Sequence, residues 1–511
     1  MNVAQLWQKQ AAKYGDKVFL YFGDDQYSYN QMLATFYRVA NSLAGLGVVK
    51  GDRVALMHRN APEFFYTWFA LSFLGAVTVP INPVFTETEI AYILGHSGAK
   101  ALVIEDEFLP VLARVPKAEI PEMKQLIVSG VEAPHGAIPF ARLFEGREKD
   151  PGVAIDDQDP CVCIYTSGTT DMPKGVLNSH YGWVTTGQSY AYTVGIGQND
   201  RVMTPNPLFH ANAQVYSTMG VLNAGASLIL LERFSGSQIL EQARRYQATK
   251  MVLVQAVTPW VWARPVSGDD CQHELDTMVA GNVPVDIYPK FEERFCLKIQ
   301  TIYSLTEATM AVMGPRLGTV PRRPGSIGVP MEHPDPAVTN QVWIADEAGN
   351  EVEAGKQGEI IIKNPAVMLS YYNDPEKTAA TKVNGWVHTG DIGYRDQDGY
   401  IYFVGRKKEV IRRRGELISP TQIEAVLNAH PAVEESAVIG VPSELGTGEE
   451  EVKAFVKLTD GGQATVEELQ EHCRAKLADF KVPRFIEFKS EFAKSAIGRI
   501  KKEELKKENA G

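Results

Sequence analysis

The chain has 511 residues, 44% of them hydrophobic and 22% charged, and its 43 Gly and 29 Pro are spread without a repeat. Such a composition excludes collagenous, coiled-coil and disordered classes and leaves room for roughly two to four domains. A formal net charge of -11 lacks the broad basic footprint of a nucleic-acid-binding protein.

The first residues, MNVAQLWQKQAAKYGDK, have no basic start leading into an apolar core, and no stretch approaches the roughly 18 apolar residues of a membrane span. A cytoplasmic protein without a transmembrane segment is expected. Apolar β-branched runs then alternate with helical patterns: a strand at Arg53–Met57, a helix over 63–74 and a strand over 76–80. The alternation returns at Ala101–Glu105, 126–128 and 227–231, with a helix over 237–246. This is the pattern of α/β layers with largely parallel sheets. Cys161 and Cys163 fall in one apolar run whose alternate residues face opposite ways. The five Cys show neither metal-binding spacing nor a disulfide framework, which suits a reducing compartment.

From about residue 325 the texture becomes β-rich, with short runs at 341–344, 358–362 and 400–403 separated by Asn-Pro, Asp-Gly and Asn-Gly turns. A cation-dense stretch, GRKKEVIRRRG at 405–415, is followed by a compact αββα-like pattern ending in a helix over 501–508. A boundary at Lys408 divides the chain into 1–407 and 408–511, the second part being large enough to fold alone.

The segment 165–176, YTSGTTDMPKGV, carries the most chemistry. Its hydroxyls and glycines offer donors to a phosphate chain, with Lys174 as the cation. A Walker loop needs Ser or Thr after the lysine, and here Gly175 follows, so the motif is a different one. Taken by itself such a loop also reads as an ordinary surface turn. The whole string resembles the signature loop of the adenylate-forming superfamily of acyl-CoA synthetases, luciferases and peptide-synthetase adenylation domains. Pro-Leu-Phe-His at 207–210, Tyr-Ser-Leu-Thr-Glu at 303–307, His-Thr-Gly-Asp at 388–391 and Gly405-Arg406 follow in the family's order, and Leu-Gly-Ala-Val-Thr-Val-Pro at 74–80 extends the likeness. The chain is most similar to medium-sized acyl-CoA synthetases, including carnitine or crotonobetaine CoA ligases.

The resemblance implies a large N-terminal domain of layered α/β subdomains plus a β-rich subdomain, and a small mobile α+β C-terminal domain. It implies two half-reactions: a carboxylate attacks the α-phosphate of ATP to give acyl-AMP and pyrophosphate, then the CoA thiol displaces AMP. ATP, Mg²⁺ and CoA are the expected small molecules beside the carboxylic acid, with a homodimer as the candidate assembly.

Residue by residue, the resemblance assigns Thr166, Ser167, Gly168, Thr169, Thr170 and Lys174 to the phosphates, and Tyr303, Ser304 and Asn282 to the nucleotide. Thr306 would contact the α-phosphate and Glu307 would hold Mg²⁺, a hard cation suited to carboxylate oxygen. The plainer reading of Glu307 is a solvated residue at a helix start. Asp391 would take the ribose hydroxyls with Arg406 beside it, or else serve as a simple cap. His210 would border the acyl carboxylate, the alternative being a core histidine. Lys408 would be the hinge, and Gly415 and Arg414 would meet CoA, although a basic run is also ordinary solvated surface. Gln214, Val215 and Tyr216, with the 255–260 stretch, are candidate acyl-pocket walls or plain core.

Two departures from the family bear on adenylation. Arg499 stands where the family has a lysine that bridges carboxylate and α-phosphate, and a forked planar guanidinium does not replace one compact ammonium. Asp171 stands where a small neutral residue is usual. A carboxylate about 6 Å from a phosphate charge would be repelled by roughly 3 kcal/mol at an effective dielectric near 20. Four readings follow: an ordinary two-step ligase, a thioesterification-only enzyme fed with acyl-AMP, an adenylation domain loading a carrier protein, and a non-catalytic nucleotide binder. No carrier segment follows Gly511, which points to a free thiol.

Overall fold

The computed structural model describes residues 1–130, 133–166, 172–254, 258–281, 283, 285, 287–413, 416–443, 450–494 and 500–509, apart from the side chains of Arg412, Glu416 and Leu417. Two compact units form. The first holds Met1–Gly168, Met172–Val342 and Ile362–Val387, and the second is built from Trp343–Ile361 and His388–Gly511.

The first unit contains two large sheets. One runs, edge to edge, through Ser370–Tyr371, Lys174–Ser179, Pro160–Thr166, Val77–Pro80, Arg53–Met57, Ala101–Glu105, Gln125–Ser129 and Ile138–Pro139. Its pairs are parallel from Pro160–Thr166 onward, while Lys174–Ser179 and Ser370–Tyr371 join antiparallel. In the strand Arg53–Met57 the four residues after Arg53 are all apolar and buried, because layers cover both faces. The helix Pro62–Leu74 has Pro at its start, and Gly75 at φ 63° closes it with an N–H bond to the Leu71 carbonyl. It is buried all round, so its sequence lacks a polar stripe. Its Phe69 ring packs 4.9 Å from the Trp7 ring, tying the N-terminal helix into the main core.

The second sheet runs through Val329–Pro330, Ala308–Met313, Lys298–Leu305, Thr277–Ala280, Lys250–Leu253, Arg201–Thr204, Ser227–Leu230, Val18–Phe22 and Asp25–Ser28. Here the early strand Val18–Phe22 lies parallel to Ser227–Leu230, with Leu20 opposite Leu228. Positions two apart on a regular strand share a face, and Cys161 and Cys163 enter different core clusters because the ladder shifts register between Pro160 and Val162. One sequence expectation is corrected. Cys271 and Cys296 form a disulfide with their Cα atoms 5.3 Å apart, because the strand Thr277–Ala280 and the helix Tyr288–Phe295 fold back on each other between them.

In the second unit, an antiparallel ladder sets Asp391 opposite Arg406. Further on come the helix Pro420–Asn428, the strands Val433–Pro442 and Glu450–Leu458, the helix Val466–Arg474, the strand Phe485–Phe488 and the helix Lys502–Glu508. Ile423, Leu427, Val438, Val452 and Leu469 form its core. The αββα expectation gains a strand: Phe485–Phe488 pairs parallel with Glu450–Leu458. That segment is only partly covered, which is why its hydrophobic pattern is short and weak. Among the described residues, no helix is long and apolar enough to cross a membrane.

Candidate active site

In the first unit the phosphate-loop segment leaves the sheet at Thr166 and returns at Lys174, which are opposite each other in the ladder. Ser167, Gly168, Thr169, Thr170 and Asp171 lie outside the described residues. The next pair is Tyr165 and Gly175, and a Cβ on Gly175 would sit 2.8 Å from Cys163 Sγ and 3.0 Å from Tyr165 Cζ. Only glycine fits there without displacing the ring, so Gly175 follows Lys174 for a packing reason. The Tyr165 hydroxyl in turn lies 2.8 Å from His96 Nδ1.

Glu307 is at neither a helix start nor a helix end. Leu305 pairs with Ala308 across the hairpin of Lys298–Leu305 and Ala308–Met313, so Thr306 and Glu307 form its two-residue turn. The turn is held from several sides. Met368 N–H donates to the Glu307 carbonyl at 2.8 Å, and Asn178 Nδ2 donates to the Thr306 carbonyl at 3.3 Å. The Tyr371 hydroxyl donates to Glu307 Oε1 at 2.7 Å, while Lys174 Nζ lies 5.4 Å from the centroid of the same Tyr371 ring. Burial first, then the Glu307 charge and this hydrogen bond, push the Tyr371 phenol well above its ordinary value, so it stays a donor. The structure thereby brings Lys174 and Glu307 onto one frame.

Tyr303 pairs with Val312, and the ladder slips between Tyr303 and Leu305, so Ser304 stands at an irregularity of the kind that re-aims side chains near binding sites. Ser304 reaches Tyr216, whose hydroxyl donates to the Thr309 carbonyl at 2.6 Å. Gln214, Val215 and Tyr216 are all buried in a widened helical segment, Ala213–Met219, with wide i→i+5 turns. Both ends of the Gln214 amide are engaged within the protein: Nε2 donates to the Leu208 carbonyl at 2.8 Å and Oε1 faces Trp183 Nε1 at 3.4 Å. His210 is exposed and packs against Phe209, with ring centroids 4.5 Å apart. Asn282 and the 255–257 part of the proposed pocket wall are outside the described residues.

In the second unit Asp391 is 1% exposed, and a buried carboxylate needs partners. Arg406 Nε lies 2.9 Å from its Oδ1. The residue lies within a strand, Trp386–Arg395, and does not cap a helix. Gly390 before it has φ 70°, the left-handed conformation that favours glycine, and the Lys407 N–H bonds the Gly390 carbonyl at 2.8 Å. Glu359 accepts from Gly390 N–H at 2.9 Å and from Lys407 Nζ at 3.1 Å. Burial alone would raise the Glu359 carboxyl, but these partners and His388 hold it below the usual carboxylate range. Lys408 is exposed in the turn that follows, its carbonyl accepting from Lys506 Nζ at 3.0 Å. Arg414, Gly415 and Arg499 lie outside the described residues.

The AMP-binding enzyme family matches residues 7–372, and the AMP-binding enzyme C-terminal domain matches 422–499. The chain belongs to the AMP-binding enzyme family. It is 34% identical over 524 aligned positions to crotonobetaine/carnitine–CoA ligase of Salmonella paratyphi C, covering 99% of each chain. Among solved structures it resembles the anthranilate CoA ligase AuaEII in complex with anthranoyl-AMP, at TM-score 0.88 and 27% identity over 100% of this chain and 97% of that one. ATP-bound MatB from Rhodopseudomonas palustris is similar at TM-score 0.86 and 25% identity, over 100% and 99% of the two chains. The chain is an acid–thiol ligase that forms acyl-CoA through an acyl-AMP intermediate, with ATP and CoA as its co-substrates.

Sequence reasoning missed Tyr371, Asn178 and Glu359. Tyr371 had one local signal, a Tyr-Tyr pair ahead of the Asn-Asp-Pro turn. Asn178 and Glu359 had none, since each acts on a segment distant along the chain.

Proposed function

We propose that the chain makes the CoA thioester of a small carboxylic acid in two steps, with the first slowed by Arg499. The arrangement of Lys174, Tyr371 and Glu307 carries this reading, because it holds a cation and a carboxylate on one rigid frame, as charge management at a triphosphate requires. Lys174 attracts the phosphates, Thr166, Ser167, Gly168, Thr169 and Thr170 supply donors, and the Thr306 hydroxyl serves the α-phosphate. Glu307 suits Mg²⁺, since its half-buried carboxylate keeps one oxygen for a hard cation when Tyr371 takes the other. Bound there, Mg²⁺ supplies neutralising charge for phosphate oxygens.

Asp391 accepts from the ribose hydroxyls, with Arg406 fixing its charge. Tyr303, Ser304 and Asn282 serve the nucleotide, and His210 borders the acid's carboxylate. Gln214, Val215 and Tyr216 wall the acyl pocket, and Gly415 and Arg414 receive CoA. The mobile part begins at Lys408, dividing the chain into 1–407 and 408–511. A cytoplasmic location follows from the ATP and CoA pools the reaction draws on, and light scattering tests for a homodimer.

The test is carboxylate-dependent ATP–pyrophosphate exchange over a panel headed by crotonobetaine and carnitine, the acids in the relative's name. The chain is compared with its Arg499→Lys variant, and single turnover of synthetic acyl-AMP with CoA runs alongside. Slow exchange that rises at least tenfold with lysine, beside unchanged thioester formation, supports the proposal. Fast exchange by the parent makes Arg499 a tolerated substitution. No exchange in the parent, with thioester formation intact, favours the enzyme fed with ready-made acyl-AMP. Nucleotide binding without either half-reaction leaves a non-catalytic binder.

A further inference from the structure

We infer that Tyr371 is a positioning residue for adenylation, its hydroxyl orienting the Glu307 carboxylate while its ring seats Lys174. The inference rests on the reading of Glu307 as the metal-holding carboxylate.

Three independent features converge on this side chain. The hydroxyl donates to Glu307 Oε1 at 2.7 Å, and Lys174 Nζ stands 5.4 Å from the ring centroid, within cation–π range. The ring itself is 6% exposed and packs with Val176 and Met368. Its backbone is fixed as firmly as its ring. Ser370 and Tyr371 pair with Leu177 and Val176 on the Lys174 strand, and Tyr372 N–H donates to the Gly175 carbonyl at 2.7 Å. Tyr371 N–H donates to Thr378 Oγ1 at 2.9 Å, and Thr378 Oγ1 donates to the Asp374 carbonyl at 2.7 Å. On the other side, Val367 bridges to Ala308 and Met368 N–H holds the Glu307 carbonyl at 2.8 Å.

The segment from Val367 to Tyr372 is therefore a splint between the Lys174 strand and the Glu307 turn. A carboxylate on a hairpin tip has free torsions. A neutral phenol that grips one oxygen removes that freedom without adding a competing charge, and leaves the second oxygen for a cation. Partners of this kind typically change metal affinity or activity by about 10- to 100-fold when removed. The ring gives Lys174 a face to rest on, so its ammonium stays extended rather than folding onto Glu307.

The experiment uses the full chain and three variants, Tyr371→Phe, Tyr371→Leu and Glu307→Gln. Mn²⁺ affinity is measured by electron paramagnetic resonance with a non-hydrolysable ATP analogue, beside ATP–pyrophosphate exchange and single-turnover thioester formation from acyl-AMP. Tyr371→Phe is expected to weaken Mn²⁺ binding tenfold or more and to slow exchange by a similar factor, with thioester formation unchanged. Tyr371→Leu should additionally raise KM for ATP several-fold, because the seat of Lys174 is lost. Thermal melts report whether either variant remains folded, and the phenylalanine variant keeps the packed ring. Unchanged Mn²⁺ affinity in Tyr371→Phe, with affinity lost in Glu307→Gln, overturns the role of Tyr371. Unchanged affinity in Glu307→Gln overturns the underlying reading of Glu307 instead. Equal loss of both half-reactions in Tyr371→Phe also overturns the inference, since it marks a general packing defect.

Discussion

Replacing Gly175 by Ala puts a methyl group into the tightest point of the strand pair that delivers Lys174. The new Cβ would stand 2.8 Å from Cys163 Sγ and 3.0 and 3.2 Å from Tyr165 Cζ and Cε2, well inside ordinary van der Waals contact. Both neighbours are themselves buried, so neither has open space to retreat into. Overpacking of this kind costs about 1–3 kcal/mol, offset by about 0.5 kcal/mol from the stiffer unfolded chain. The net expectation is a loss of about 0.5–2.5 kcal/mol. Function should suffer with stability, because the Tyr165 ring that must move also carries the hydroxyl beside His96, and Lys174 is the adjacent residue. Urea unfolding followed by Trp fluorescence gives the stability change, and KM for ATP reports the displacement of Lys174. A cycle with Cys163→Ala sharpens the test: each single variant destabilises, whereas the double variant should recover by about 0.5–1 kcal/mol because the cavity accepts the methyl. If Gly175→Ala unfolds within about 0.5 kcal/mol of the parent and the two changes add, the close approach is not what excludes a side chain here.

His180 is wholly buried and its Nδ1 accepts the Val3 N–H at 3.4 Å, so it ties the N-terminal helix to the start of the helix His180–Val194. Burial pulls its pKa down from 6.5 to about 4, with Asp159 opposing. Since the folded value lies below the unfolded one, the unfolded chain binds more protons between them. Stability is full above about pH 6.5 and falls as pH drops toward 4, by about 2 kcal/mol between pH 7 and pH 5. His180→Gln should remove that part of the acid sensitivity, and equal pH slopes for variant and parent in urea midpoints would contradict it. Lys408→Pro fixes φ and deletes an N–H in the exposed turn proposed as the hinge. It should slow at least one half-reaction tenfold or more; if both run at parental rates, the hinge lies elsewhere.

Much of the site was legible because it is carried by contiguous strings. The strands Arg53–Met57 and Ala101–Glu105 and the start and end of the phosphate segment follow from runs whose period and turn residues are local. Glu307 was visible as a chemical group but not as a turn. Leu-Thr-Glu-Ala suits a helix start locally, and only pairing of Leu305 with Ala308 makes a hairpin of it. The same limit explains Cys271 and Cys296: without a regular spacing, nothing in the string says that two elements between them fold back and bring the sulfurs together.

The sequence by itself determined the alternation of strands and helices and the identity of the charged groups, and through its resemblance to the adenylate-forming superfamily the reaction class, because periodicity, turn chemistry and short motifs are properties of neighbouring residues. The tertiary structure alone decided which distant groups meet: Val18–Phe22 beside Ser227–Leu230, Glu359 under Gly390, and Tyr371 between Lys174 and Glu307. Those meetings depend on the register of whole strands. Register is set by the summed burial of many side chains on two faces, and a slip of one residue would turn every one of them to the other side.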